Sequence, residues 1–425
     1  MKKIIIRDNI NISPFNEPAR NLRIMNKPLW LYQRDVLSSY CNEEVECDSL
    51  EEVIALPQSF LSDEVLIYRD NLFFDEFLFK DFIETARKSG KAVQIAFALD
   101  DAAITTHALP LQNGIRLENG VYVADLFYYP DGTKIGTFSA NPLIIDTESR
   151  EMGYYHVPTY MAGDSGHLGF RVPLKAFLSV ESWVHIYVAN SPFGVFAHGA
   201  RVEQSLDTFS MMTKVLWRSL LERKQFLSSS ALVILGKNSQ IDPEAIVQGP
   251  TIIGNNVTIG PGCVVNASVI GNNVNLMQGV QVLLSVVGDG SYLGFRAALF
   301  MTTLMENCMV AQNTCLQMSV VGRDSFVGAG NTFTDFNIMG DPLKIWHKGK
   351  LTAVGMPVLG GCVGHNCRIG SGHIVYPARS IESDVVLQAK QERTIITNNV
   401  TYAESDHHRY PNSAHFPKYQ SVLLT

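Results

Sequence analysis

Long apolar runs are missing from this sequence. No uncharged stretch approaches the ~18 residues that a membrane-spanning helix needs. The signal-like opening MKKIIIRDN is cut by Arg7 and Asp8 directly after Ile6, so it reads as a first strand and not as a secretion signal. A soluble, cytoplasmic protein with no membrane span is the resulting expectation. Clustered basic residues are missing too: net charge is −7 and pI is near 5.9, which argues against a nucleic-acid partner. Among seven cysteines there is no CxxC pair. An odd number without pairing motifs fits reduced thiols, with Cys263, Cys308 and Cys315 as packing residues, and neither a disulfide framework nor a structural zinc is expected.

What is present is length and a repeat. With 425 residues, 10% of them aromatic, the chain can build two or three packed domains. From Ile241 onward it becomes self-similar. Ile253, Ile270, Val287, Leu304, Val321 and Ile338 recur every 17 residues. Two further columns run at the same interval: Ile259, Leu276, Leu293, Val310, Val327, and Val265, Val282, Leu299, Leu316, Phe333. A fixed period of this kind marks a solenoid. The apolar steps within one period are six, six and five residues, so each coil has three short faces and three corners. Gly254, Gly271, Gly288 and Gly322 mark one corner, each followed by Asn, Asp, Gly or Arg-Asp pairs suited to tight turns. Coils should stack at about 4.8 Å through backbone pairing, with the aliphatic columns filling the bore.

The chain before the repeat reads differently. Lys2–Ile6, Val65–Tyr68 and Val93–Ala98 are expected strands. They alternate with helical segments at Lys27–Tyr40 and within RDNLFFDEFLFKDFIETARKSGK (69–91), where Phe77, Phe79, Phe82 and Ile83 are spaced for a buried face. That alternation suggests a parallel, two-sided α/β sheet. Gly120–Tyr129 and Trp183–Ala189 read as short β-like runs, and Leu206–Lys224 as a connecting helix ended by the serines at 228–230. The expected division is an α/β domain over 1–204, a connector over 205–230, coils over 231–388 and a tail over 389–425. Regularity fails after Gly340, where 341–357 reads as a loop thrown out from the coils, and it resumes at Val363, Ile369, Val375, Ile381 and Leu387. The tail holds Asp406-His407-His408 and His415, which read as a solvated run, with a metal or catalytic cluster as the alternative.

The segment IDPEAIVQGPTIIGNNVTIGPGCVV resembles the hexapeptide-repeat pattern of left-handed parallel β-helix proteins, over roughly residues 235–388. The resemblance implies the left-handed coil. It also implies an acyltransferase that uses acyl-CoA or acyl carrier protein, forms a homotrimer and places its active sites between neighbouring coils. The whole layout is similar to bifunctional sugar-1-phosphate nucleotidyltransferase/acetyltransferases, which implies a nucleotidyltransferase-like α/β fold at the N-terminus. PFNEPARNLRIMNKPLWLYQRDVL, with Lys27, looks like their lysine-containing segment. LIYRDNLFF is similar to the strand whose following Asp, here Asp70 with Asn71 beside it, approaches a metal-bound nucleotide. The departure is in the first loop. Those enzymes cradle phosphate with glycine N–H groups, whereas only RDNINIS lies between Ile6 and Pro14. Nucleotidyl transfer is therefore expected to be absent or much altered, and magnesium is expected only if that domain is active.

His365 in VGHNCRIG resembles the AHNxxIG-like segment of lipid A pathway acyltransferases, which implies a general base with Asn366 beside it. An imidazole with an ordinary pKa of about 6.5 suits that task. The spacing places it at a corner with its side chain pointing outward; the bland reading is a polar turn. His373, with His347 folding back, raises a metal site whose ligand set is incomplete, so no metal is expected. Arg296 and Asn313 stand one period apart in a column otherwise held by Gly262, Gly279 and Gly330. Met301, Met305, Met309 and Met318 read as an outward face, either a subunit interface alone or an interface with Arg296, Glu306, Gln312 and Asn313 as a ligand site. Asp70 and Asn71 are either a ligand site or a strand-end turn. The leading reading is an acyltransferase acting on a sugar or nucleotide-sugar. The alternatives are a non-catalytic scaffold or sugar-nucleotide sensor, and an active nucleotidyltransferase with an unconventional phosphate loop.

Overall fold

The computed structural model describes residues 1–57, 61, 63–133, 135, 140–156, 167–206, 208–223, 225–339 and 341–409. Gly340 and His415 lie outside the described residues. The chain forms two compact units, one holding Met1–Ile12, Glu17–Tyr155 and Gly169–His185, the other holding Ser13–Asn16 and the chain from Ile186 onward. Trp183–Asn190 is an α-helix where a β-like run was expected.

The first unit is built on a sheet in the order Asn141–Ile144, Val93–Phe97, Val121–Tyr129, Val65–Arg69, Lys2–Ile6, Glu43–Cys47. Lys2–Ile6 is parallel to both its neighbours and buried through Lys3–Ile6, as the unbroken run KKIII requires of a central strand. The sheet is nevertheless mixed, not parallel throughout. Asn119 and Gly120 both adopt positive φ, 48° and 82°, the two-residue hairpin turn that Asn-Gly favours. That turn sends Val121–Tyr129 back antiparallel between Val65–Arg69 and Val93–Phe97. The helix Glu76–Ser89 is started by Asp75, whose carboxylate accepts the Leu78 N–H, and is stopped by Gly90 at φ 60°. It buries Leu78, Phe79, Phe82, Ile83 and Ala86, while Phe77, expected inside, is 45% exposed.

The second unit opens with helices, among them Ala197–Leu206 and Phe209–Glu222, and from Val233 onward is a left-handed parallel β-helix. Three parallel sheets of eight strands each form its faces. The first sheet contains Thr251–Ile253, the second Thr258–Ile259 and the third Val264–Asn266. Each column residue pairs with the one a coil above, as in Ile253↔Ile270, Ile259↔Leu276 and Val265↔Val282. The expected columns fill one continuous core, with the exception of Ile338, which is 80% exposed. Val321 pairs instead with Val363, so the column crosses the excursion between them. That excursion is not shapeless: Lys344–His347 and Lys350–Ala353 form an antiparallel hairpin. The coils also outlast the expected end at 388, since Ile395–Ile396 completes the third sheet.

The expected solvated run at Asp406-His407-His408 holds only in part: His408 is exposed and His407 half-buried, but Asp406 is not solvated. Asp406 is fully buried, accepts the Gln388 N–H at 2.8 Å, and is paired with Lys390 and Arg393. It ties the last coil shut. Among the described residues no helix is long and apolar enough to cross a membrane.

Candidate functional site

The residues singled out in the β-helix fall on two different edges. Arg296, Gln312 and Asn313 sit where the second sheet turns into the third, whereas Glu306, His365 and Asn366 sit where the first turns into the second. The fold does not gather them into one cluster.

The first edge explains the odd column. Gly262, Gly279 and Gly330 have φ of 65°, 71° and 67°, and Arg296 and Asn313 adopt the same left-handed conformation at 58° and 55°. Asn tolerates that region, while Arg pays about 1–2 kcal/mol for it. Both side chains are exposed, next to Phe295 at 48% exposure. The four methionines do not form an outward face. Met301, Met305 and Met318 are fully buried, two of them at positive φ in the turns that lead into the first sheet, and only Met309 of the set is exposed, at 43%.

His365 does not point outward; it is 0% exposed, with its ring 5.0 Å from that of Phe15. Its Nδ1 accepts the Arg323 N–H at 3.0 Å, and its own N–H donates to Ser383 Oγ at 2.9 Å. Ser383 Oγ in turn lies 3.0 Å from Pro14 O and 3.1 Å from Phe15 O. A neutral imidazole whose Nδ1 accepts carries its proton on Nε2. In this arrangement the ring is a donor at Nε2, the opposite of what a general base must present. Asn366 is a corner residue at φ 54°, its Nδ2 donating to Asp384 Oδ1 at 2.7 Å. Glu306 is half-buried on the same edge.

His373 is fully buried on the other edge from His365, and burial holds its pKa below the ordinary imidazole value against the neighbouring Arg393 and Thr394 carbonyls. His347 lies in the hairpin. Among the described residues no group of three His, Cys, Asp or Glu is placed to hold a metal ion.

In the first unit, Asp8 and Asp70 follow adjacent parallel strands at their carboxyl ends, where open α/β sheets bind ligands. Asp70 is 1% exposed; its Oδ1 accepts the Asp8 N–H at 2.8 Å and its Oδ2 meets Arg20 Nη1 at 3.2 Å. Burial pushes its pKa up to about 6, against the pull of the Asp8 N–H and Arg20. Arg20 also bridges to Glu46 at 2.9 Å. Asn71 is buried with its Nδ2 3.4 Å from Ser179 Oγ, and Lys27 pairs with Asp35 at 2.6 Å, apart from Asp70. A magnesium ion does not fit this donor set, because a guanidinium already neutralises the one buried carboxylate. Sequence reading missed Arg20 and Phe15, although both lie in the segment PFNEPARNLRIMNKPLWLYQRDVL, where attention fell on Lys27.

Residues 233–267 match the family described as bacterial transferase hexapeptide (six repeats). Among solved structures, the chain is similar to the UDP-N-acetylglucosamine acyltransferase from Campylobacter jejuni, at 15% identity over 37% of this chain and 68% of that one, with a TM-score of 0.21. No curated protein matches the chain.

Proposed function

We propose that the β-helix unit is an acyltransferase of the hexapeptide-repeat type. It would move an acyl group from the thioester of CoA or an acyl carrier protein to a hydroxyl or amine of a sugar or nucleotide-sugar. The observation that carries this reading is the hexapeptide transferase segment at 233–267, seated in regular three-sided coils. Arg296 supports it: an arginine held at φ 58° where neighbouring coils use glycine retains its side chain at a backbone cost. Exposed beside Asn313 and Phe295, it offers a charged fork for phosphate or carboxylate and an aromatic flank for a ring. The reaction needs close approach of thioester and acceptor and removal of one proton. His365 could supply that base only after Phe15 withdraws and the ring changes tautomer. A homotrimer is proposed to assemble through the outer face of the second sheet, where Met309 and Phe326 are 43% and 37% exposed.

The test is thiol release from acetyl-CoA and longer acyl-CoAs, or from acyl carrier protein, with UDP-N-acetylglucosamine as the probe acceptor. Replacing Arg296 with Ala should lower kcat/KM roughly 10- to 100-fold, the value of a charge-assisted contact. Absence of thiol release with every donor overturns the reading. A second reading, a non-catalytic sugar-nucleotide sensor or scaffold, draws support from the two closed centres at His365 and Asp70. Thermal stabilisation by UDP-sugars without any response to CoA would favour the sensor. Nucleotidyl transfer by the first unit would require pyrophosphate release from a nucleoside triphosphate and a sugar phosphate, and the Arg20–Asp70 pair argues against it.

A further inference from the structure

Residues of the excursion and Arg379 together line a half-open groove of about 470 Å³. Its lining includes Asp341, Leu343, Lys344, Leu351 and Arg379, all within the β-helix unit. The volume is within the range of about 300–1,000 Å³ typical of small-molecule sites. Arg379 is half-buried, and its Nε is closed off from solvent with no hydrogen-bond partner. Among the described residues no carboxylate pairs with the guanidinium, and burial alone holds its pKa below the ordinary value. A guanidinium cannot shed its proton to escape such a setting. An unpaired, partly desolvated cation is a cost that an anion would offset.

A second cation stands in the same lining. Lys344 is exposed, and among the described residues it has no ion pair. Asp341, also exposed, adds one carboxylate able to accept hydroxyl hydrogen bonds. Leu351, 58% exposed on the hairpin, and the buried Leu343 supply an apolar wall. Two cations, one hydroxyl acceptor and an aliphatic surface match a phosphorylated sugar. We infer that this groove binds the phosphoryl group of a phosphorylated hexose through Arg379 and Lys344, with Asp341 on its hydroxyls. The phosphoryl group could belong to a free sugar phosphate or to a nucleoside-diphosphate sugar. The inference does not depend on acyl transfer, since it concerns binding alone.

Isothermal titration of the full chain with inorganic phosphate, glucose 1-phosphate, UDP-glucose and unphosphorylated glucose tests it. Wild-type protein should bind at least one of the two phosphorylated sugars saturably and glucose not at all. Response to glucose 1-phosphate identifies the free sugar phosphate as sufficient; response to UDP-glucose alone identifies the diphosphate form. Arg379→Gln should weaken that binding roughly 10- to 100-fold, with its unfolding midpoint measured alongside. Lys344→Gln, on the exposed hairpin, should weaken it without touching a buried group. Weakening in both variants supports the site. No saturable binding of either phosphorylated sugar, or unchanged affinity in both variants, overturns it.

Discussion

Phe15 covers His365, the two rings lying 5.0 Å apart and tilted by 33°, so that a histidine expected to point outward from a corner is buried in the second unit. The seal is specific, because Ser383 ties the His365 backbone to the Pro14 and Phe15 carbonyls. Truncating Phe15 to Ala should cost about 3–5 kcal/mol, as for other buried aromatics. It should also open His365 to diethylpyrocarbonate. Mass spectrometry of the modified native protein should show His365 labelled in the variant and protected in the wild type. Equal labelling in both would mean that the seal does not hold in solution.

Asp70 gives a pH dependence with a definite sign. Its folded pKa is raised to about 6 by burial, against an unfolded value of about 3.9. The folded state therefore binds more protons in the window between those values, and stability falls as pH rises through it. A shift of about two units corresponds to roughly 3 kcal/mol. Urea midpoints measured from pH 4 to pH 7 should decline in the wild type and flatten in Asp70→Asn. Arg20→Met, which removes the neutralising cation, should steepen the decline. A wild-type profile as flat as that of Asp70→Asn would refute the assignment.

At the other end of the chain the sign is reversed. Burial alone would raise the Asp406 pKa, but the Gln388 N–H, Lys390 and Arg393 outweigh it and leave the carboxylate below its ordinary value. Its contribution is complete above about pH 4 and is lost as pH falls through the lowered folded value. Asp406→Ala strands two cations beside a buried site and should cost about 3–5 kcal/mol. Hydrogen exchange should localise the loss to the amides of 386–396, with the coils before Gly330 unaffected. Uniform acceleration along the solenoid would contradict a local closing role.

The coil corners give a steric prediction. A Cβ on Gly288 would stand 2.3 Å from the Met305 carbonyl carbon and 2.5 Å from the Glu306 nitrogen of the next coil. Gly288→Ala should therefore force adjacent coils apart and cost about 1–3 kcal/mol, the usual range for overpacking. Gly330, with open space around its would-be Cβ, pays only for its positive φ, so Gly330→Asn should be tolerated much better. Thermal unfolding of the two variants side by side measures the difference.

The solenoid was legible because a narrow bore admits only aliphatic side chains, so each coil repeats the same demand at the same interval. Ile338 satisfied the interval by accident: spacing cannot register that the chain has already left the stack, which the pairing of Val321 with Val363 reveals. The Arg296 and Asn313 anomaly was visible as a break in a glycine column, and the left-handed backbone explains it. His365 was misread because what covers a corner is decided by contacts distant in sequence. Phe15 comes from a four-residue piece, Ser13–Asn16, that leaves its own neighbours to join the second unit. Arg20 was equally hidden, since no periodicity announces which cation will neutralise Asp70.

The cysteines test burial from another direction. All seven are free thiols in the structure. Burial pushes the Cys308 thiol up to about 12, and drives Cys362 and Cys367 above the ordinary range as well. Thiolate, not thiol, is the reactive species, so these groups should be inert near neutral pH. Cys41 is only half-buried but is still raised to about 11 by burial, which slows it without blocking access. With an aromatic disulfide reagent at pH 7.5, native protein should label slowly and mainly at Cys41 and Cys315. Unfolding in guanidinium should release the remaining thiols at once. Prompt labelling of Cys308 or Cys367 in the native protein would mean that the coils open locally and that their core is not closed in solution.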